Sequence, residues 1–372
     1  MTVSDKLTVT AVGDICLGGF LPREFIDLPE KIIPQEIKGH LCADIVFGNL
    51  ESPFSGTGKT TKFGFLWSSQ SSARILKYAG FNIVNLANNH IADCGYEGML
   101  DTIRVLDEYG IQHVGVGIDL DAARKPAIFD FPTKEISVAI HGYLETNFEN
   151  QQAQQLMVAS SGKPGAAPLN HGIVEEDIKN SSKAHDIIVV SIHWSEQFGK
   201  NIAPWRLKVC KEIAEMGADL ILGHHPHVLQ GYLRYKGKLI LGSLGNFYFP
   251  PYGEDPDFAG EDVHYWGDRE RQSVIVKVTF EGKNLSEVSF TPVVQDKDFP
   301  ILKIPSKDEG SLILAELERL KVQIQSPFYP IRYFINNHIF GKLRRLARSP
   351  SKILSSKKLF IRIKNEPRIW KR

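Results

Sequence analysis

Five apolar runs in this chain each end in side chains able to bind a metal, and that repetition restricts the folds open to it. Residues 7–13 alternate, are rich in β-branched types and end at Gly13-Asp14. The run Ile45-Val46-Phe47 leads into Gly48-Asn49-Leu50-Glu51, and residues 81–86 lead into Ala87-Asn88-Asn89-His90. Residues 187–192 are almost wholly apolar, the pattern of a strand buried on both faces, and end at His193-Trp194. Residues 218–222 end at Gly223-His224-His225-Pro226-His227. Helical spacing separates these runs. Residues 71–79, 96–109 and 206–216 predict helices stopped by Gly80, Gly110 and Gly217. Further strands are expected over 113–117 and 136–143.

Strands alternating with helices predict an α/β domain. Its last part turns antiparallel. Residues 231–241 predict a hairpin turning at Lys236-Gly237, and 273–293 a second around residues 281–284. Two stretches carry no period: 150–170, read as an insertion, and 249–271, a long loop of the kind that borders a site. Residues 54–67, with Lys62, are a second candidate wall for that site.

In α/β sheets, ligands bind outside the carboxyl ends of the strands. A mixed Asp, Glu, Asn and His set without Cys suits one divalent ion, or two about 3.5–4 Å apart that activate water and clamp a phosphoryl group. Each residue alone has a plainer reading. Asp14 and Glu51 suit turns, Asn88 and Asn89 form turns, Asp93 suits a helix cap, and His193 suits a satisfied core position. Glu196 is a solvated loop residue unless His193 is catalytic. The Gly-His-His-Pro-His run is the most specific element, because three histidines in four positions have few structural uses.

Composition sets the remaining bounds. With 42% hydrophobic and 23% charged residues over 372 positions, the chain can bury a large core, and disorder is excluded as its main state. Cys16, Cys42, Cys94 and Cys210 form no CxxC pair and fit a reducing compartment. There is neither a basic-then-apolar leader nor a ~20-residue apolar span, so the expected location is cytoplasmic, at most peripheral to the inner membrane face. The net charge of +1 hides an asymmetry: residues 331–372 hold 13 Lys/Arg and one acidic residue, against 31 basic and 42 acidic elsewhere. That tail suits an anionic membrane surface, an anionic polymer or the acidic body itself, and no nucleic-acid motif accompanies it.

The ordered strings Val12-Gly13-Asp14, Gly48-Asn49-Leu50-Glu51, Asn85-Leu86-Ala87-Asn88-Asn89-His90, Ser191-Ile192-His193-Trp194, Gly223-His224-His225-Pro226-His227 and Ser243-Leu244-Gly245-Asn246-Phe247 resemble the CapA-type family of capsule and poly-γ-glutamate synthesis proteins. The resemblance implies a calcineurin-like metallophosphoesterase scaffold: a four-layer α/β/β/α sandwich with mixed sheets over residues 1–300. A helical linker and the basic tail would fill 301–372. It implies Asp14, Glu51, Asn88, His193, His225 and His227 as ligands of one or two Mn, Zn or Fe ions. His225 is preferred to His224 because His225-Pro226-His227 keeps the His-X-His pattern. His90, His193 and Glu196 are the implied catalytic groups. Cys16 stands where metallophosphoesterases have a first-site His, which puts the second ion in question. Two activities remain open: hydrolysis of a phosphoester or related linkage in a cell-surface polymer pathway, or non-catalytic binding of a polymer or its synthase.

Overall fold

The alternation of inward and outward side chains along the strands dictates the layering. The computed structural model describes residues 6–19, 21, 23–61, 66–146, 157–251, 266–297 and 301–336. The main strands are β1 (Lys6–Ile15), β2 (Ile45–Leu50), β3 (Ile83–Asn85), β4 (Gln112–Val114), β5 (Ala127–Phe131), β6 (Ile136–Leu144), β7 (Ile187–His193), β8 (Leu220–His224), β9 (Tyr232–Tyr235), β10 (Lys238–Leu241), β11 (Asn246–Tyr248), β12 (Gln272–Glu281), β13 (Asn284–Gln295) and β14 (Leu302–Lys303). Among the described residues the main helices are α1 (Arg23–Asp27), α2 (Gln35–Leu41), α3 (Ala73–Ala79), α4 (Gly95–Glu108), α5 (Leu120–Arg124), α6 (His171–Ala184), α7 (Pro204–Met216), α8 (Lys307–Gln325) and α9 (Tyr329–Phe334).

One sheet runs β14-β13-β12-β1-β2-β3-β4, with β11 also paired to β1; the other runs β9-β10-β8-β7-β6-β5. Both are mixed. In the first, β1 to β4 are parallel and β12 to β14 antiparallel; in the second, β6, β7, β8 and β10 are parallel with antiparallel edges.

Period two then sorts the core. Leu7, Val9, Ala11, Ile45, Phe47 and Ile83 face Val138, Ile140, Ile187, Val189, Leu220 and Leu222 between the sheets. The alternate residues Val12, Val46 and Val84 pack under α2, α3 and α4, and Ile188, Val190 and Ile192 pack under α6 and α7. The result is the expected α/β/β/α sandwich. Each fully buried Val, Leu or Ile in it contributes about 1.5–3 kcal/mol.

Both hairpins form where the sequence predicts them. Lys236 and Gly237 both take positive φ (49° and 82°), the mirror-type turn that matches strand twist. The expected strand over 113–117 is broken at Gly115 (φ 84°), whose carbonyl accepts from the Ala167 amide. Strand β5 and helices α1, α2, α5 and α6 form without a counterpart among the elements expected from the sequence. Helix α8 packs on β9 and β13, with Ile313 and Leu317 in the inter-sheet core, so residues 307–325 share the core of the domain before them. Lys62, most of the 249–271 loop, part of the 150–170 insertion and nearly all of the basic tail lie outside the described residues. Among the described residues, no helix is long and apolar enough to cross a membrane.

Candidate metal centre

The inward parity that builds the inter-sheet core carries on past the apolar residues and delivers polar ones to the strand ends. Asn49 follows Ile45 and Phe47, Asn85 follows Ile83, His193 follows Ile187 and Val189, and His224 follows Leu220 and Leu222. Asp14 reaches this face through a bulge. Ala11 is opposite Phe47 but Asp14 is opposite Asn49, so β1 spends one extra residue. The bulge lies against Gly245: the Asp14 amide donates to its carbonyl at 2.9 Å, and a Cβ on Gly13 would stand 1.8 Å from that oxygen.

Asp14, Glu51 and His193, all buried, offer ligand atoms within 4.8 Å of one another. His227 joins them, with Nδ1 3.2 Å from Asp14 Oδ2 and Nε2 3.9 Å from Glu51 Oε2. The His225 ring lies 4.7 Å from that of His193 and 5.5 Å from that of His227. His225 and His227 both have positive φ, 95° and 58°, a conformation that costs about 1–3 kcal/mol for such residues and collects at functional sites.

The hydrogen bonds fix the tautomers. Nε2 of His193 donates to Asn89 Oδ1 at 2.7 Å, and Asn89 Nδ2 lies 3.1 Å from His90 Nε2. Nδ1 of His90 in turn lies 3.0 Å from Asp93 Oδ2. Read as a chain, Asp93 takes the His90 Nδ1 proton, and Asn89 donates to His90 and accepts from His193. His193 therefore presents its Nδ1 lone pair to the cluster. His227 Nδ1 donates to Asn246 Oδ1 at 2.9 Å, which turns its Nε2 lone pair toward Glu51.

Hydrogen bonds within the cluster leave several of its polar atoms unmatched. Asn49 Nδ2 carries two hydrogens yet faces Asp14 Oδ1 (2.9 Å), Glu51 Oε1 (3.0 Å) and His193 Nδ1 (3.2 Å). Among the described residues, Glu51 Oε2, both ring nitrogens of His224, Nδ1 of His225 and Nδ2 of Asn246 are buried without a hydrogen-bond partner. Native interiors rarely leave so many polar atoms unmatched in one place. A cation in the cluster would take up the free lone pairs among them, on Glu51, His224 and His225, so the residues fit a metal.

The electrostatics agree. Burial would raise Asp14, but its contacts with His224 and His227 reverse this and hold the carboxyl well below the usual range. Burial, then the Asp14 charge, pushes Glu51 well above it. Burial holds His193 well below its ordinary value, helped by His225, and lowers His225 to about 3, helped by His227. Neutral imidazoles are the form that binds metals.

Among the candidate residues, Asp14, Glu51, His193, His225 and His227 come together here, and His90 stands one amide away. Asn88 does not face the cluster: its Nδ2 donates to the Leu50 carbonyl at 2.7 Å, and its Oδ1 accepts from the His90 amide at 3.1 Å. Its neighbour Asn89 reaches His193 instead. Glu196 is also outside; its side chain is 63% exposed and pairs with Arg206 at 2.9 Å. Strand parity adds His224, the alternative to His225 in the sequence, and Asn85; Asn246 reaches His227 from the Ser243–Phe247 segment. Cys16 lies in an apolar cluster with Leu66, Phe249 and Trp266, and burial pushes its thiol up to about 11. Phe249 and Trp266 also face the His227 ring, at 5.3 and 5.4 Å, and wall that side.

Residues 8–251 match the family model described as bacterial capsule synthesis protein PGA_cap. The chain is 31% identical over 256 residues to the capsule biosynthesis protein CapA of Bacillus anthracis, covering 66% of this chain and 60% of that protein. It is 30% identical over 249 residues to the PGA biosynthesis protein CapA of Bacillus subtilis (strain 168), covering 66% and 64%. It thus spans under two thirds of the length of these relatives. A 5'-nucleotidase structure from Candida albicans SC5314 aligns with a TM-score of 0.41 at 12% identity, covering 87% of this chain and 59% of that one. The family match takes in every residue of the cluster from Asp14 to Asn246, and the chain belongs to the bacterial capsule synthesis protein PGA_cap family.

Proposed function

We propose that this protein is a metal-dependent hydrolase acting on a phosphoester or related linkage during synthesis of poly-γ-glutamate or another anionic surface polymer. The observation that carries this reading is the buried Asp14, Glu51 and His193 group together with the unmatched lone pairs of Glu51, His224 and His225 beside it. The polymer class comes from the printed names of the relatives, which concern capsule and PGA biosynthesis.

Asp14, Glu51, His193, His225 and His227 would hold one or two Mn, Zn or Fe ions, with Asn49 and His224 closing the set. A divalent ion bound there supplies an activated water and neutralises charge on the substrate. The chain's own residues do the rest. Asn89 and Asn246 hold His193 and His227 in the ligating tautomer. Asp93 fixes the His90 ring with Nε2 toward Asn89, placing a proton carrier beside the cluster. Phe249 and Trp266 keep bulk water from the His227 side.

The test is metal content by elemental analysis, followed by turnover of phosphomonoester, phosphodiester and γ-glutamyl substrates with Mn²⁺, Zn²⁺ or Fe²⁺. Stoichiometric metal lost in His227→Ala, with turnover lost in parallel, is the expected result. Metal without turnover on any substrate favours the reading as a polymer- or synthase-binding assembly protein. Absence of metal overturns the proposal.

A further inference from the structure

On the His193 and His225 side of the cluster stands a charged group that the metal reading does not use. Arg206, near the start of α7, is 5% exposed. Its Nε and Nη2 donate to both oxygens of Glu145 at 2.9–3.1 Å. Glu145 is itself buried and pinned at the end of β6: its amide donates to the His193 carbonyl at 2.9 Å, and its Oε2 accepts from the Ser195 amide at 2.9 Å. One edge of the guanidinium is thus fixed in place. The other edge, Nη1, donates at 2.9 Å to Glu196, whose side chain is 63% exposed.

The two carboxylates differ in kind. The Glu145 pair is buried and bidentate, so breaking it leaves an uncompensated charge inside the protein. In the Glu196 pair the carboxylate stands on the solvent side, with a 63% exposed side chain, where salt screens it. Glu196 is the partner that can leave at little expense. Its loop runs from Ser195 (φ 86°) to Phe198 (φ 62°), directly after His193, and Phe198 is tied back by its amide to the Pro226 carbonyl at 2.8 Å.

We infer that Arg206 is the substrate-anion receptor of this site, and that Glu196 holds its Nη1 edge until an oxyanion of the substrate, phosphate or carboxylate, takes its place. This rests on the hydrolase reading for its location beside the metal cluster, but the receptor itself consists of Glu145, Arg206 and Glu196. Glu145 is a positioning residue: it keeps Arg206 charged and aimed while joining it to the His193 strand end. An anionic polymer bearing carboxylates, or a phosphoester, would place one charge on Arg206 and the reacting bond toward His193.

The test uses full-length protein in two states, Mn²⁺-loaded and EDTA-treated, titrated by calorimetry with inorganic phosphate and separately with glutarate. Elemental analysis of the same samples reports the metal reading independently. Glu196→Gln removes the competing charge at an exposed position and is expected to tighten the probe that mimics the substrate by about threefold or more. Arg206→Lys, which loses the planar fork, is expected to weaken the same probe by about tenfold or more in both metal states. Response to phosphate alone identifies a phosphoester group as the occupant, and response to glutarate alone identifies a carboxylate. If Arg206→Lys melts early, Glu196→Gln decides alone. Affinities for both probes within about twofold of wild type in Glu196→Gln overturn the inference, whatever the metal content shows.

Discussion

Asp14 and Asn49 face each other across β1 and β2 only because β1 carries one more residue than β2 between this pair and the Ala11–Phe47 pair. Without that residue, period two would turn Asp14 toward α2 and α3 rather than into the cleft. The bulge survives because Gly13 lets the Gly245 carbonyl approach. Gly13→Ala would set a Cβ 1.8 Å from that oxygen, backbone against backbone, where no side chain can yield. The expected outcome is a loss of about 3 kcal/mol or more in denaturant unfolding, with metal content falling as Asp14 shifts. Wild-type stability together with wild-type metal content would show that the bulge does not place Asp14.

Asn88 and Asn89 are adjacent yet have opposite roles. Asn88 spends its amide on the Leu50 carbonyl and the His90 amide; Asn89 spends its own on His193 and His90. Asn88→Ala should therefore lower stability by about 1–3 kcal/mol, since it orphans two buried backbone groups, and leave the metal stoichiometry intact. Asn89→Ala should weaken metal binding by about 10–100-fold with little change in unfolding, because it frees the His193 tautomer. Paired chemical denaturation and metal titration of the two variants separate these outcomes, and an exchange of the two phenotypes would reverse the assignment.

Acid should unfold the metal-free protein through its buried imidazoles. Burial, helped by His227, lowers His225 from 6.5 to about 3 in the folded chain, and burial lowers His141, on β6, to about 4. The unfolded chain binds more protons between those values, so stability rises with pH across the window. The contribution is complete above about pH 6.5 and is lost as pH falls toward 3. His225→Asn should flatten this dependence in EDTA-treated protein, followed by circular dichroism at fixed urea. An unchanged slope in both His225→Asn and His141→Gln would remove the imidazoles as its source.

Period and strand-end chemistry made an α/β domain with an antiparallel end and a shared site at its strand ends readable in the sequence, and the resemblance to the CapA-type family supplied the four-layer sandwich and the ligand set. What stayed hidden was set by contacts that no local pattern encodes. Asn88 and Asn89 are equivalent as turn formers, and only the position of the Leu50 carbonyl across the sheet tells them apart. His225 was preferred to His224 on motif spacing, yet parity with Leu220 and Leu222 carries His224 inward to within 3.5 Å of Asp14. Both histidines belong to the cluster, because the positive φ at His225 turns the chain back across it. Arg206 and Glu145 are 61 residues apart, and nothing in either segment announces the other.

Helix α8 is where a boundary at residue 300 meets the core. Ile313 and Leu317 enter the same inter-sheet cluster as Leu7 and Leu222, and Tyr232 donates its hydroxyl proton to Glu318 from the edge strand β9. The helix begins with a Ser306 cap, whose hydroxyl accepts from the Glu309 amide at 3.3 Å, and with acidic Asp308 and Glu309 in its first turn, so it is anchored at its start as well as along one face. Leu317→Ala empties a site that is 2% exposed and should lower stability by about 2–5 kcal/mol. Cutting the chain before Lys307 uncovers the sheet edge where β9 and β13 meet, and should give protein that expresses poorly or binds hydrophobic dyes. The measurement is urea unfolding of Leu317→Ala with dye binding by the truncated chain. A two-state transition at the wild-type midpoint in both would mean that α8 is an accessory to the domain and not part of its core.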